Sequence, residues 1–296
     1  MAWPGETPYP VGVTAAALLL VFGAAVLHAG WNALTKRAGD PVVFLWLVGI
    51  VASVLYMPVA LTVLAHHGLR AAAIPFVIGT IVLHALYFFS LGRAYGSGDF
   101  SLVYPIARGL GVALVPVAAL LVFDERLSPL GSLGIGLVAA GIFCLHWRPG
   151  AWTAAAFTGS GTGWALATGV LIAAYSLLDK AGVARISPLT YIWLMEMGSC
   201  VLLTPVALAK GDVMRREWRT NRATILAVAL MSPTAYVLVL FAFQLSKTGY
   251  VVAAREMSIV LSAIIGSVWM KEGALGHRLA GAGVVLAGVI CVALAR

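Results

Sequence analysis

The chain alternates long apolar stretches with short polar breaks. Ten stretches are long enough to cross a bilayer, near residues 13–33, 42–64, 73–92, 101–122, 130–147, 161–179, 188–209, 223–245, 249–270 and 277–295. A hydrocarbon core about 30 Å thick needs roughly 20 consecutive apolar residues in helical form. The pattern therefore predicts an all-α integral membrane protein with ten transmembrane helices. No strand periodicity competes with it.

The pattern repeats. At a single offset of 147, as from Pro41 to Pro188, Trp46 meets Trp193, Pro58 meets Pro205, Ala107 meets Ala254 and Arg108 meets Arg255. Glu125 with Glu272, Gly134 with Gly281, Gly141 with Gly288 and Cys144 with Cys291 follow at the same offset. An offset of 144 matches Trp31 to Tyr175 and Lys36 to Lys180, so the first loop differs in length by three residues. Coincident Arg, Glu, Trp and Pro are far less common by chance than coincident Leu or Val. The division is 13–147 for the first unit, 148–160 for a linker rich in Gly, Ala, Ser and Thr, and 161–295 for the second. Five spans per unit is an odd number, so the second unit enters the membrane from the opposite face. The expected architecture is two inverted five-helix repeats.

Composition sharpens this reading. The 296 residues are 61% hydrophobic and 10% charged, against about 25% charged in soluble domains. The net charge of +8 is spread over short loops, where it orients helices rather than binding a nucleic acid. The first ten residues, MAWPGETPYP, carry no Lys or Arg, so no secretory signal is expected. Cys144, Cys200 and Cys291 all fall within apolar stretches, with neither zinc nor disulfide spacing, and read as packing residues. No metal and no cofactor is implied.

Ionisable groups inside spanning helices are costly and mark function by default. Six stand out: His28, His84, Arg108, Glu196, Arg255 and Glu256. Glu196 lies about eight residues into helix 7 and Arg255 about six into helix 9, both roughly 10 Å deep from the same face. They are expected to pair, or Arg255 to alternate between Glu196 and a substrate. Arg108 holds the equivalent place in the first unit, but Glu196 is matched there by Gly49, so no acid answers it. Arg108 can then hold a substrate anion, with His28 as an alternative neighbour, or can snorkel to a helix end. Glu256 points about 100° away from Arg255 and needs its own partner, or is protonated in a way that suits proton coupling. His84 can relay protons or simply pack.

Pro105 and Pro233 interrupt helices 4 and 8, which fits cavity-lining helices. Tyr87, Tyr104, Tyr236 and Trp31 offer stacking and hydroxyl contacts to an organic solute. Glu125 and Glu272 sit at the water boundary as loop or cap residues. The paired glycines at 134 and 141, and at 281 and 288, predict close packing of helices 5 and 10. The same faces could serve a homodimer.

Three runs carry a family likeness: HAGWNALTKR (His28 to Arg37), YPIARG (Tyr104 to Gly109) and DERLSPLGSLGIGLVAAG (Asp124 to Gly141). The last two recur as AAREMS (Ala253 to Ser258) and KEGALGHRLAGAGVVLAG (Lys271 to Gly288). Together they resemble the EamA branch of the drug/metabolite transporter superfamily. The resemblance implies a ten-helix basket in the inner (plasma) membrane, with a central cavity lined largely by helices 3, 4, 8 and 9. It further implies export of a small-molecule solute without ATP hydrolysis. A flippase for a lipid-linked sugar is the alternative on the same fold. A membrane-embedded enzyme is more remote, since no metal cluster, G-x-S-x-G or phosphate loop occurs. Orientation is in conflict. The loops on the side of the termini carry six Lys and Arg and the opposite loops eleven, five of those within 210–222, which puts the termini outside. The resemblance puts them in the cytoplasm.

Overall fold

The computed structural model describes residues 13–35, 38–97, 100–147, 159–261 and 275–295. Most of the linker, Lys36, Glu272 and the second half of the ninth stretch lie outside them. Every described element is helical: α1 (Ala15–Thr35), α2 (Pro41–His67), α3 (Ile74–Ser97), α4 (Phe100–Phe123), α5 (Pro129–His146), α6 (Ser160–Val183), α7 (Pro188–Leu208), α8 (Gly211–Leu245), α9 (Thr248–Arg255) and α10 (Leu275–Leu294). Eight of these are long and apolar enough to cross a membrane. The chain is a multi-pass membrane protein. Observed and expected boundaries agree within a few residues except at α8, whose helix begins 12 residues early, and α9, which stops at Arg255.

Local chemistry explains the helix starts. Asp40 caps α2 by accepting the amides of Val42 and Val43, both at 3.1 Å, and Pro41 follows in the first turn, where its missing N–H costs nothing. Partial burial pushes the Asp40 carboxyl up. The hydrogen bond from Lys210, with those two amides, outweighs it and holds the group below the usual carboxylate range. Ser128 caps α5 in the same manner, accepting the Gly131 amide at 3.2 Å. Pro105 and Pro233 are accommodated within continuous α4 and α8. The departure from helical backbone in α8 falls at Asn221 instead (φ −115°, ψ 15°).

Two contacts cross between the halves of the chain in matched form. Trp46 Nε1 donates to the Cys200 carbonyl at 3.2 Å, and Trp193 Nε1 donates to the Ser53 carbonyl at 2.9 Å. Trp193 and Cys200 are the offset-147 mates of Trp46 and Ser53, so each half gives the other the same bond. Helices α5 and α10 meet in a similar reciprocal way. A Cβ on Gly288 would stand 2.6 Å from the Gly134 carbonyl oxygen, and one on Gly134 would stand 2.7 Å from the Gly288 oxygen. The glycine faces are therefore spent within one chain rather than on a seam between copies. Gly288→Val should lower the melting temperature clearly, because the obstructing atoms are backbone and cannot yield; overpacking typically costs about 1–3 kcal/mol. Gly283→Val, where the added Cβ meets nothing within 4 Å, should melt like the wild type in the same fluorescence-detected assay.

Candidate functional site

A hollow of about 100 Å³ opens among the helices. Its wall includes Ala24, His28 and Trp31 from α1, Leu45, Trp46 and Val48 from α2, and His84, Tyr87 and Phe88 from α3. Arg108 of α4, Tyr175 of α6, Tyr236 of α8 and Arg255 of α9 complete its polar side, while α7 adds Met195, Glu196, Ser199, Cys200 and Leu203. Helices 1, 2, 6 and 7 thus contribute alongside the expected 3, 4, 8 and 9. Of the ten sequence-selected residues, eight line the hollow. Tyr104 and Glu256 stand behind it.

The charges pair differently from the sequence expectation. Arg108 binds Glu256 with two bonds, Nη2 to Oε1 at 2.6 Å and Nε to Oε2 at 3.2 Å, with both side chains buried. Arg108 does have an acid, and it comes from the other half of the chain. The expected Glu196–Arg255 pair is not formed. The Arg255 Nε finds no hydrogen-bond acceptor among the described residues, and its nearest charge is Glu256 Oε1 at 3.9 Å. Glu196 likewise has no hydrogen-bond or ion-pair partner among them, although it faces the hollow. Offset 147 explains the asymmetry: the mate of Glu256 is Gly109, so two equivalent arginines share one acid.

The helix tightens by one turn at the same place. Helix α9 ends at Arg255, Glu256 forms a turn in which its N–H reaches back to the Ala253 carbonyl at 3.1 Å, and residues 257–261 resume as helix.

The aromatic wall is held by a residue that sequence reasoning did not select. Asp179, fully buried, accepts hydrogen bonds from the hydroxyls of Thr80 at 2.7 Å, Tyr191 at 2.8 Å and Tyr236 at 2.5 Å. His84 Nε2 lies 3.8 Å from the same carboxylate, and its Nδ1 is 3.1 Å from the Thr80 carbonyl. The His84 ring lies 4.4 Å from that of Tyr175 and 5.6 Å from that of Tyr236, and Tyr87 lies 5.3 Å from Tyr175, centroid to centroid. On the far side of the hollow, Trp31 Nε1 donates to His28 Nδ1 at 3.2 Å. Tyr104 stacks on His146 at 4.9 Å rather than on a vacant face of the hollow. The signal for Asp179 was present, an acid four residues after Tyr175 in an otherwise apolar run. It was missed because the helix was taken to end at 179, whereas it continues to Val183.

Glu125 is likewise more than a boundary residue. It is buried, bridges to Lys180 Nζ at 2.8 Å, and accepts the Thr248 amide at 2.7 Å and its hydroxyl at 3.0 Å. It caps α9 rather than the helix that follows it in sequence. Lys180 also donates to the Ser246 carbonyl at 2.8 Å. This cluster ties the loop between α4 and α5 to the ends of α6 and α8. Among the described residues no His, Cys, Asp and Glu group could hold a metal ion.

Comparison with known proteins supplies independent information. Residues 159–294 match the model of the EamA-like transporter family, and residues 43–138 match that of the Small Multidrug Resistance protein. A 44-residue stretch is 46% identical to Multidrug transporter PA4990 of Pseudomonas aeruginosa, covering 15% of this chain and 40% of that relative's length. A protein of known crystal structure superposes over 95% of this chain and 97% of its own, with a TM-score of 0.70 at 17% identity, a likeness of fold.

Proposed function

We propose that this chain is an EamA-type drug/metabolite transporter, a secondary transporter of the inner (plasma) membrane that exports a small organic solute by alternating access; the matches over residues 159–294 and 43–138 support this reading. The solute binds in the hollow, with an anionic group on Arg255 and its carbon skeleton against Tyr87, Tyr175 and Tyr236. Two five-helix units, 13–147 and 161–295, are inverted copies that rock about this site.

The single observation that carries the reading is the state of Arg255. A guanidinium buried in a membrane protein costs several kcal/mol unless it is paired. Arg108 is neutralised by Glu256 at 2.6 Å, whereas the Arg255 Nε has no hydrogen-bond acceptor among the described residues, stands 3.9 Å from Glu256, and its side chain borders the hollow. A planar donor fork of this kind suits a carboxylate, phosphate or sulfonate. The matched tryptophan bonds and the reciprocal α5–α10 contact support the inverted repeat, since a two-fold axis in the membrane plane gives each half the other's interaction.

The test is a thermal-shift screen of the purified protein across amino acids, sugar phosphates and cationic drugs, followed by counterflow uptake of the hits into proteoliposomes. Stabilisation by anions or zwitterions together with saturable counterflow supports the reading. Stabilisation by cations alone would move the anchor from Arg255 to Glu196.

A further inference from the structure

The first turns of α8 do not belong to the hydrocarbon. The helix has 35 residues, about 52 Å at 1.5 Å per residue, against a core of about 30 Å. Its backbone departs from helical geometry at Asn221, and the apolar part follows that point. Residues 211–221 are thus a separate surface segment joined to a spanning helix.

That segment is held to the protein along one side and bare along the other. Glu217, buried, accepts the amides of Gly39 at 2.7 Å and Asp40 at 3.0 Å and the Asn221 side chain at 2.8 Å. Val213 and Met214 pack against the cluster around Phe44. Lys210 Nζ bridges to Asp40 at 2.6 Å. The opposite face presents Arg215, Arg216 and Arg219, with Arg222 just past the break, all exposed and with no hydrogen-bond or ion-pair partner among the described residues. Trp218, 43% exposed, stands beside that face, three residues after Arg215.

We propose that this face docks on the anionic phospholipid headgroups of the leaflet that borders it. Four uncompensated guanidiniums in eight residues call for anions, and bidentate contact to phosphate is what guanidinium geometry favours. An exposed tryptophan among them fits the boundary between headgroup and acyl chain, where amphipathic indole rings collect. The position of the break fixes the level: the segment leaves the spanning helix where the hydrocarbon ends. Soluble polyanions would use the arginines but would leave Trp218 without a purpose. Docking rests on membrane embedding alone and is independent of what the hollow carries.

The experiment uses the full-length protein in mild detergent, titrated with phosphatidylglycerol or phosphatidylcholine and read by native mass spectrometry. Near an anionic surface each basic residue contributes about fivefold at low salt. The wild type should retain phosphatidylglycerol in clear preference. Replacing Arg215, Arg216, Arg219 and Arg222 together by Gln should lower that preference at least about tenfold while leaving phosphatidylcholine retention unchanged. The all-Lys counterpart should keep most of it. Circular dichroism and thermal melting check that each variant is folded. Equal phosphatidylglycerol retention by the wild type and the folded Gln variant overturns the proposal. So does wild-type binding of a DNA oligonucleotide that is lost in the Gln variant while lipid retention is unaffected.

Discussion

Glu256→Ala should cost the folded protein about 3–5 kcal/mol, the usual penalty for stripping one partner from a buried ion pair. Glu256 accepts two hydrogen bonds from Arg108 and stands 3.9 Å from Arg255. Without it, two guanidiniums face each other in low dielectric with no anion between them. The loss should appear as a large fall in melting temperature in detergent. Arg108→Leu with Glu256→Leu should recover most of it, because an apolar pair removes the unpaired charge along with the pair. A Glu256→Ala protein that melts like the wild type would mean the bond carries no structural weight.

Arg255→Ala should behave in the opposite way: folded protein at wild-type level, and solute binding weakened about a hundredfold. Stability is expected not to fall, because Arg255 Nε has no hydrogen bond among the described residues to lose and its removal takes away a poorly paired buried charge. A hydrogen bond to a charged group contributes about 1.5–3 kcal/mol, and about 2.7 kcal/mol corresponds to a hundredfold in affinity. Arg255→Lys should restore part of the affinity, since it returns the charge without the planar fork. Arg108→Ala is the contrasting case. It should fall in stability like Glu256→Ala, for it leaves the carboxylate buried beside the single remaining arginine. Equal loss of fold in Arg255→Ala and Arg108→Ala would remove the distinction between a structural and a solute-binding arginine. Titration of a screen hit into each purified variant, beside its melting curve, reads both quantities.

Much of the architecture was legible in the pattern of apolar runs, because the bilayer imposes a length that few soluble helices share. The paired glycines also marked helices 5 and 10 for close packing, and Gly134 and Gly288 approach each other's backbone. Pairing among charges was not legible. Depth along a helix axis ranks Glu196 and Arg255 together, but a contact depends also on rotation about the axis and on which helices are neighbours. Glu256, set about 100° from Arg255, turned toward α4 and found Arg108. Asp179 escaped notice for a different reason. A charged residue at the edge of an apolar run reads as loop, and only the extra turn of α6 to Val183 brings it under the aromatic wall. Glu217 and Glu125 show the same limit. Each caps a backbone far away in sequence, a role that local spacing does not encode.

Alternating access requires a hollow that each side of the membrane reaches in turn. Ser232 lines it from α8, and a single cysteine there, in a chain with Cys144, Cys200 and Cys291 replaced by Ala, can be offered an impermeant maleimide from each side of oriented vesicles. Modification from either side, at unequal rates that a bound solute shifts in opposite senses, is the predicted result. A cysteine that reacts from one side only, at a rate no solute alters, would contradict it.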